Sequence, residues 1–236
     1  MADSKVAVII GGGSGIGAAC VREFAARGYK VAAMSPSGRG AALARELGGV
    51  GLDGTNRNVA DLQAITDLAW STYGRIDTVV NGSGHAARGK VLELTDEDWA
   101  EGMELYLLNV IRMARIVTPL FLQQGGGTIV NISTATIFEP SPLYPVSVTF
   151  RAGLASFAKL YATEYAPHGI RMNNVLPGFT KEDPATVPGE FTQGIPMGRA
   201  QSTAELARVV YFLASDESSF VTGQNLRADG GATRSV

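Results

Sequence analysis

A glycine-rich turn near the amino end of the chain has the composition of a phosphate-binding loop. Gly11, Gly15 and Gly17 follow a short apolar run and lead directly into a segment of helical periodicity. Glycines at such a turn let the backbone approach a pyrophosphate, and the start of the helix adds unpaired N–H groups and a partial positive charge. The spacing G-x-x-x-G-x-G departs from the strict G-x-G-x-x-G fingerprint, but its context predicts dinucleotide binding. The residues expected to line this turn are Gly11, Gly13, Ser14, Gly15, Ile16 and Gly17.

The segment that follows the second apolar run contains no acidic residue and ends in a cation. It reads Met34-Ser35-Pro36-Ser37-Gly38-Arg39. In dinucleotide-binding folds an acidic side chain at this place pairs with the ribose hydroxyls and would repel a 2′-phosphate. The hydroxyls of Ser35 and Ser37 and the guanidinium of Arg39 suit a phosphate, since arginine offers paired donors in a fixed geometry. We therefore expect NADP(H) to be preferred over NAD(H).

Short β-branched runs alternate with helical segments along the whole chain. The predicted strands are Val6–Ile10, Lys30–Met34, Asp77–Val80, Thr128–Ile132, Ile170–Leu176 and a last one around Gln224–Arg227. The predicted helices are about Gly15–Arg27, Arg57–Tyr73, Glu97–Gln123, Ser147–Tyr165 and Thr203–Ala214. Strands separated by helices of this size predict βαβ units, with a parallel sheet and helices on both of its faces.

Composition excludes several classes of protein. The chain has 236 residues, 45% of them apolar, which is enough for a full-sized core and argues against disorder. Lys and Arg number 20 against 22 Asp and Glu, so the basic field of a nucleic-acid-binding protein is missing. Apolar runs have strand length, well short of the ~20 residues that cross a bilayer, and the amino end has no secretory pattern. We expect a soluble cytoplasmic protein with no nucleic-acid or membrane partner.

One domain covering residues 1–236 is expected, because no linker or internal repeat divides the chain. The longest irregular segment is 178–199, in which Pro184, Pro188 and Pro196 break helical continuity. A loop of this length in a compact domain is often a lid or a binding loop. We expect the segment 178–199 to be a substrate-binding loop; the alternative is a disordered insertion.

Five landmarks in chain order resemble the short-chain dehydrogenase/reductase family. Ile10–Gly17 is similar to the family's T-G-x-x-x-G-I-G turn, and Asp53 is similar to its adenine-binding Asp. Residues 81–84 are similar to its N-N-A-G turn. Residues 177–178 match its P-G, and residues 229–231 match its closing D-G-G. The resemblance implies a Rossmann-type, doubly wound, seven-stranded parallel sheet in a three-layer αβα arrangement, and a homodimer or homotetramer. It implies further cofactor contacts at Asp53, Gly54, Asn81, Gly82, Ser83, Pro177, Gly178 and Thr180. Thr180 is included because Glu182 stands where the family has its nicotinamide-binding threonine.

The catalytic positions depart from the family. The family's tyrosine and lysine, spaced as Tyr-x-x-x-Lys, align with Ser147 and Arg151. The family's serine aligns with Thr134, and its asparagine aligns with Tyr106. Arg151 keeps the positive charge and is expected still to bind the nicotinamide ribose. His85 follows the turn that in the family runs beside the nicotinamide, and Tyr144 lies three residues before Ser147. These six residues are the candidate catalytic groups.

Two functions from different classes fit these residues. The first is an NADP(H)-dependent oxidoreductase that acts on a small carbonyl or alcohol with an unusual proton donor. The second is a catalytically silent NADP(H)-binding sensor or regulatory protein. We favour the first, because Thr134, Arg151, Tyr106 and His85 form a polar set, whereas a discarded site would more often turn apolar. With two histidines and one cysteine, no metal site is expected.

Overall fold

One parallel sheet organises the chain. The computed structural model describes residues 4–236. Its strands are β1 (Val6–Ile10), β2 (Lys30–Ser35), β3 (Val50–Asp53), β4 (Thr78–Asn81), β5 (Gly127–Ile132), β6 (Ile170–Pro177), β7 (Thr180–Lys181), β8 (Gln201–Ser202) and β9 (Asn225–Ala228). Seven of them form the sheet in the order β3-β2-β1-β4-β5-β6-β9, and every neighbouring pair is parallel. The separate pair β7–β8 is also parallel.

Helices cover both faces of the sheet. They are α1 (Gly15–Ala26), α2 (Arg39–Glu46), α3 (Val59–Tyr73), α4 (Asp96–Met103), α5 (Asn109–Gln124), α6 (Pro145–Tyr165) and α7 (Thr203–Ala214). Side chains of α1, α2 and α7 pack on one face and those of α3, α5 and α6 on the other. Alternation along β1 follows this division, since Ala7 and Ile9 join the first core and Val8 and Ile10 the second. The predicted three-layer αβα fold with seven parallel strands is confirmed.

One helix and one strand of the three-layer fold, α2 and β3, were not predicted from the sequence pattern. Helix α2 has only eight residues, and β3 has four, including Gly51, on the edge of the sheet. A side chain at Gly51 would begin 2.4 Å from the carbonyl oxygen of Ala33, so packing against β2 requires glycine there. Such a short, glycine-containing edge strand gives almost no periodic signal.

The predicted helix over 97–123 is interrupted. A π-helical turn, Glu104–Leu108, joins α4 to α5, so the continuous helical stretch Asp96–Gln124 has 29 residues. This stretch is long and apolar enough to cross a membrane by length and composition alone, but half of its most apolar window is buried inside the protein. Single π-turns inside α-helices occur frequently at functional sites.

The segment 178–199 is less irregular than expected. It contains β7 and two short 3₁₀ turns, Pro184–Thr186 and Gly189–Phe191. Its aromatic side chains Phe179 and Phe191 stack on each other and remain exposed. The segment therefore has local structure of its own, beside the carboxyl end of β6.

Candidate active site

The glycine turn lies at the carboxyl end of β1, where the strand order reverses between β1 and β4. In doubly wound sheets this switch point is the place where dinucleotides bind. Gly11 and Gly15 have φ values of +77° and +51°, a region that glycine occupies readily. The N–H groups of Gly11 and Gly12 donate to the carbonyl of Met34, at 2.9 and 3.0 Å, so β2 fixes the turn. A side chain at Gly17 would begin 2.0 Å from the Gly11 oxygen, so α1 packs directly on the turn.

The amino end of α1 fits a pyrophosphate. Among the described residues, nothing lies within 4 Å of the place where a Gly15 side chain would begin. The side chain of Ser14, the residue before α1, is exposed and makes no capping hydrogen bond with the described part of the chain. The first N–H groups of α1 consequently face open space, with the positive end of the helix dipole behind them.

The predicted phosphate-binding residues after β2 divide into two kinds. Ser35 is 4% exposed, and its Oγ accepts a hydrogen bond from the Gly40 N–H at 2.9 Å, so it fixes the start of α2. Ser37 and Arg39 are exposed, and Arg39 Nε donates to Ser37 Oγ at 3.2 Å. Asp53 is exposed beside Gly38, with its carboxylate oxygens 3.0 Å from where a Gly38 side chain would begin. The accessible donors at this edge are therefore Ser37 and Arg39.

The turn after β4 abuts the glycine turn. The Gly82 N–H donates to the Ile10 carbonyl at 3.0 Å, and a side chain at Gly82 would begin 2.7 Å from that oxygen. Close contact between these two backbones explains glycine at positions 11 and 82. Gly54 serves a similar purpose after β3, because a side chain there would begin 2.8 Å from the sulfur of Met34.

Asn81 has a structural role that the sequence reasoning missed. Its Nδ2 donates to Asn131 Oδ1 at 2.9 Å, Asn131 Nδ2 to Asn174 Oδ1 at 2.9 Å, and Asn174 Nδ2 to Asn225 Oδ1 at 2.7 Å. The four amides occupy one register across β4, β5, β6 and β9. This ladder ties together four neighbouring strands of the sheet. The signal in the sequence is an asparagine in each of the four strands.

Arg151 is the centre of the predicted catalytic cluster. Its Nη2 donates to Ser83 Oγ at 2.9 Å and its Nη1 to Ser147 Oγ at 3.3 Å. The guanidinium carbon lies 4.3 Å from the ring centroid of Tyr106. Ser147 and Arg151 lie on the same face of α6, one turn apart. Burial lowers the pKa of Arg151, but an arginine stays protonated near neutral pH. The structure thus brings Ser83, Tyr106, Ser147 and Arg151 together.

Tyr106 and Thr134 make other hydrogen bonds. Tyr106 lies in the π-turn, is 4% exposed, and its hydroxyl accepts a hydrogen bond from the Ala86 N–H at 2.7 Å. Its phenol therefore anchors the segment after β4 while its ring supports Arg151. The Thr134 hydroxyl lies just after β5 and pairs with Thr136 Oγ1 at 2.9 Å.

His85 and Tyr144 lie around the same edge. His85 is a surface residue, and its partial desolvation by neighbouring residues, together with the charges of Arg88 and Arg151, lowers its pKa. Tyr144 precedes α6 and packs under Arg88, whose guanidinium carbon is 4.8 Å from its ring centroid. The sequence reasoning missed Arg88, although it lies only three residues after His85 in the same segment.

The last predicted cofactor residues follow β6. The Gly178 N–H donates to the Ala228 carbonyl oxygen at 3.1 Å, and a side chain at Gly178 would begin 2.8 Å from the Cα of Asp229. Pro177, the last residue of β6, and Gly178 therefore pack against the closing D-G-G turn. Thr180 Oγ1 donates to the Gly178 carbonyl at 3.2 Å and approaches Gln201 Oε1 at 3.3 Å.

Fold and turn geometry define a Rossmann-type dinucleotide-binding protein, and comparison with known proteins gives its family. The model of the enoyl-(acyl carrier protein) reductase family matches residues 11–233. A 3-oxoacyl-[acyl-carrier-protein] reductase of Thermotoga maritima is 34% identical over 240 residues, covering 97% of this chain and 98% of that protein. A D-threitol dehydrogenase of Mycolicibacterium smegmatis is 31% identical, with coverages of 98% and 94%.

A solved structure agrees with this fold. The NADPH-dependent reductase YwfH, involved in bacilysin biosynthesis, superposes with a TM-score of 0.92 at 24% identity, covering 99% of this chain and all of that one. The chain belongs to the short-chain dehydrogenase/reductase family of oxidoreductases. The predicted family and enzyme class are confirmed.

Proposed function

We propose that this protein is an NADP(H)-dependent oxidoreductase that acts on a small carbonyl or alcohol through a non-standard catalytic site. One observation carries the proposal: Arg151 links Ser83, on the turn beside the expected nicotinamide position, to Ser147, which aligns with the family's tyrosine. The site keeps a buried positive charge and two hydroxyls directed at one place, in contrast to an abandoned site that has become apolar.

The described residues fit the parts of NADP(H) in order along the sheet edge. The glycine turn and the start of α1 would hold the pyrophosphate, and Ser37 with Arg39 the 2′-phosphate. Asp53 would meet the adenine, Ser83 and Arg151 the nicotinamide ribose, and Thr180 the nicotinamide amide. When bound, the nicotinamide ring supplies or accepts a hydride.

Ser147 and Arg151 are placed to stabilise negative charge on a carbonyl oxygen. Ser147 Oγ accepts its hydrogen bond from Arg151. The Ser147 O–H group therefore remains free to donate a hydrogen bond to a substrate oxygen. The guanidinium adds a fixed positive charge in a partly buried site, where electrostatic stabilisation is stronger than in water. Proton transfer itself needs another group, since a serine hydroxyl is a weak acid and arginine keeps its proton. His85 and Tyr106 are the candidates, and a positioned general acid contributes roughly 10²–10⁴ in rate.

The second candidate is a catalytically silent NADP(H)-binding sensor or regulatory protein. The alignment of Ser147 and Arg151 with the family's tyrosine and lysine favours it, because a hydroxyl of ordinary acidity replaces an activated phenol. In such a protein the same Arg151 contacts would only hold the ribose. The two candidates share the cofactor site and differ in whether a hydride is transferred.

The distinguishing experiment is oxidation of NADPH by the purified protein with a panel of ketones, aldehydes and quinones. We expect turnover with at least one small carbonyl compound, and a loss of about 100-fold in kcat/KM for Arg151→Met, which removes the charge and both hydrogen bonds. Arg115→Met, which removes an exposed charge from α5, is the matched control and should stay near wild type. Tight NADPH binding without turnover of any substrate would favour the sensor.

We also propose that the protein is cytoplasmic and forms a homodimer or homotetramer. Most of the apolar face of α7 that suggested association packs inside the subunit, since Val210 is fully buried and Val209 and Tyr211 pack against the core. Phe212 remains partly exposed, and Phe220, just beyond the helix, is fully exposed. These two phenylalanines and the family resemblance support association.

A further inference from the structure

A second arginine stands beside the Arg151 cluster with its donors unused. Arg88 lies on the segment after β4 and stacks on Tyr144, the residue that precedes α6. Stacking covers a face of the guanidinium and leaves the N–H groups around its edge free for a ligand. Within residues 4–236 those N–H groups make no hydrogen bond and no ion pair.

The cations of the site lack counter-charges. The described residues form seven ion pairs, and neither Arg88 nor Arg151 takes part in any of them. Desolvation is the largest cause of the lowered pKa of His85, and the positive charges of Arg88 and Arg151 lower it further. The charges of Arg88 and Arg151 therefore both act on His85.

The segment that carries these groups is anchored at two points. Its Ser83 hydroxyl accepts from Arg151, and its Ala86 N–H donates to the buried Tyr106 hydroxyl. Arg88 lies two residues after Ala86, and its guanidinium stacks on Tyr144. Tyr144 in turn lies three residues before Ser147. Arg88 therefore lies against the residue that immediately precedes α6, the helix that carries Ser147 in its first turn.

We propose that the substrate carries an anionic group, a carboxylate or a phosphate, on the same small molecule as its reacting carbonyl or alcohol, and that Arg88, stacked on Tyr144, binds this group. The inference rests on the proposed oxidoreductase function, because it places the reacting end of that molecule at Ser147. The edge of a guanidinium matches the two oxygens of a carboxylate or phosphate. An anion would also offset the positive charges of Arg88 and Arg151.

Turnover of matched probes tests the charge requirement. The pairs are acetoacetate with its methyl ester and dihydroxyacetone phosphate with dihydroxyacetone, each assayed with NADPH. We expect the anionic member of at least one pair to have a kcat/KM about 10- to 100-fold higher than its neutral partner. Which pair shows the difference distinguishes a carboxylate from a phosphate. Equal or better use of the neutral partner in both pairs would overturn the proposal.

Variants assign the effect to Arg88. Arg88→Gln should lower the kcat/KM of the anionic probe to about that of its neutral partner, and Arg88→Lys should restore part of the preference for the anionic probe. The matched control is Lys90→Gln, which removes an exposed charge two residues away that is paired with Glu93. A preference that survives in Arg88→Gln would contradict the assignment.

Binding can be followed without turnover, because the chain has only two histidines. In the NADP⁺-loaded protein, NMR titration should show that acetoacetate or dihydroxyacetone phosphate raises the pKa of His85, since a nearby anion favours the imidazolium. The NMR resonances of His168, in the turn after α6, are the internal control and should be the same with and without the anion. If NADPH binds and neutral carbonyls are reduced but neither anion affects His85, the anion site is wrong and the oxidoreductase stands. Tight NADPH binding without turnover of any probe, neutral or anionic, would instead refute the oxidoreductase, and the His85 titration in the NADP⁺-loaded protein would still report on the anion site.

Discussion

Replacing Arg39 with alanine should weaken the binding of NADPH far more than that of NADH. Arg39 begins α2, and its Nε donates to Ser37 Oγ at 3.2 Å, so the two donors already lie side by side. A charge-assisted hydrogen bond contributes ~1.5–3 kcal/mol. Because Arg39 is exposed and solvent screens its charge, the lower part of that range applies, which corresponds to about a 10- to 30-fold increase in Kd.

Titration calorimetry of both cofactors measures this directly. Arg22→Ala, which removes an exposed charge from α1, is the matched control and should leave both affinities within about twofold of wild type. The affinity for NADPH should also fall as salt is added, since the contact is solvent-exposed. Equal wild-type affinities for NADPH and NADH, or an equal loss of both in Arg39→Ala, would refute the assignment of Ser37 and Arg39 to the 2′-phosphate.

Two further outcomes follow from the site and the surface. If His85 donates the proton, reduction should decline as pH rises through a pKa below the ordinary histidine value of about 6.5, because the imidazolium is lost there, and His85→Gln should abolish that step in the pH profile. An unchanged pH profile in His85→Gln would leave Tyr106 as the donor. Light scattering should give a mass of two or four times 24.7 kDa, and Phe220→Asp should shift the population towards monomer; a monomeric wild type would exclude the homo-oligomer.

The elements of this fold that the sequence predicts well are those with local signals. The runs Val6–Ile10 and Thr203–Ala214 end in the structure where their periodicity ends. The glycine turn is equally local, because its backbone conformation needs glycine at positions 11 and 15. The short edge strand β3 lacks such a signal, since its place is fixed by pairing with β2 rather than by its own four residues.

The site was predictable as a set of residues but not as a set of contacts. Ser147 and Arg151 are one helical turn apart, so their pairing follows from sequence spacing. The bond from Arg151 to Ser83 spans 68 positions, and only the tertiary fold, which brings α6 to the segment after β4, creates it. The same holds for Tyr106, whose hydroxyl meets the backbone of Ala86 because the π-turn directs it there. The stacking of Arg88 on Tyr144 has no local signal at all.

The most direct test of the central claim is transfer of deuterium from NADPH that carries deuterium at both hydrogen positions of C4 of the nicotinamide ring. The protein is incubated with labelled NADPH and the best carbonyl acceptor from the panel, and the alcohol product is analysed by mass spectrometry. Hydride transfer at the Arg151 site predicts one deuterium in the product carbinol, formed at a rate that falls about 100-fold in Arg151→Met. A product without deuterium, or labelled product formed equally fast by Arg151→Met, would contradict the proposed chemistry.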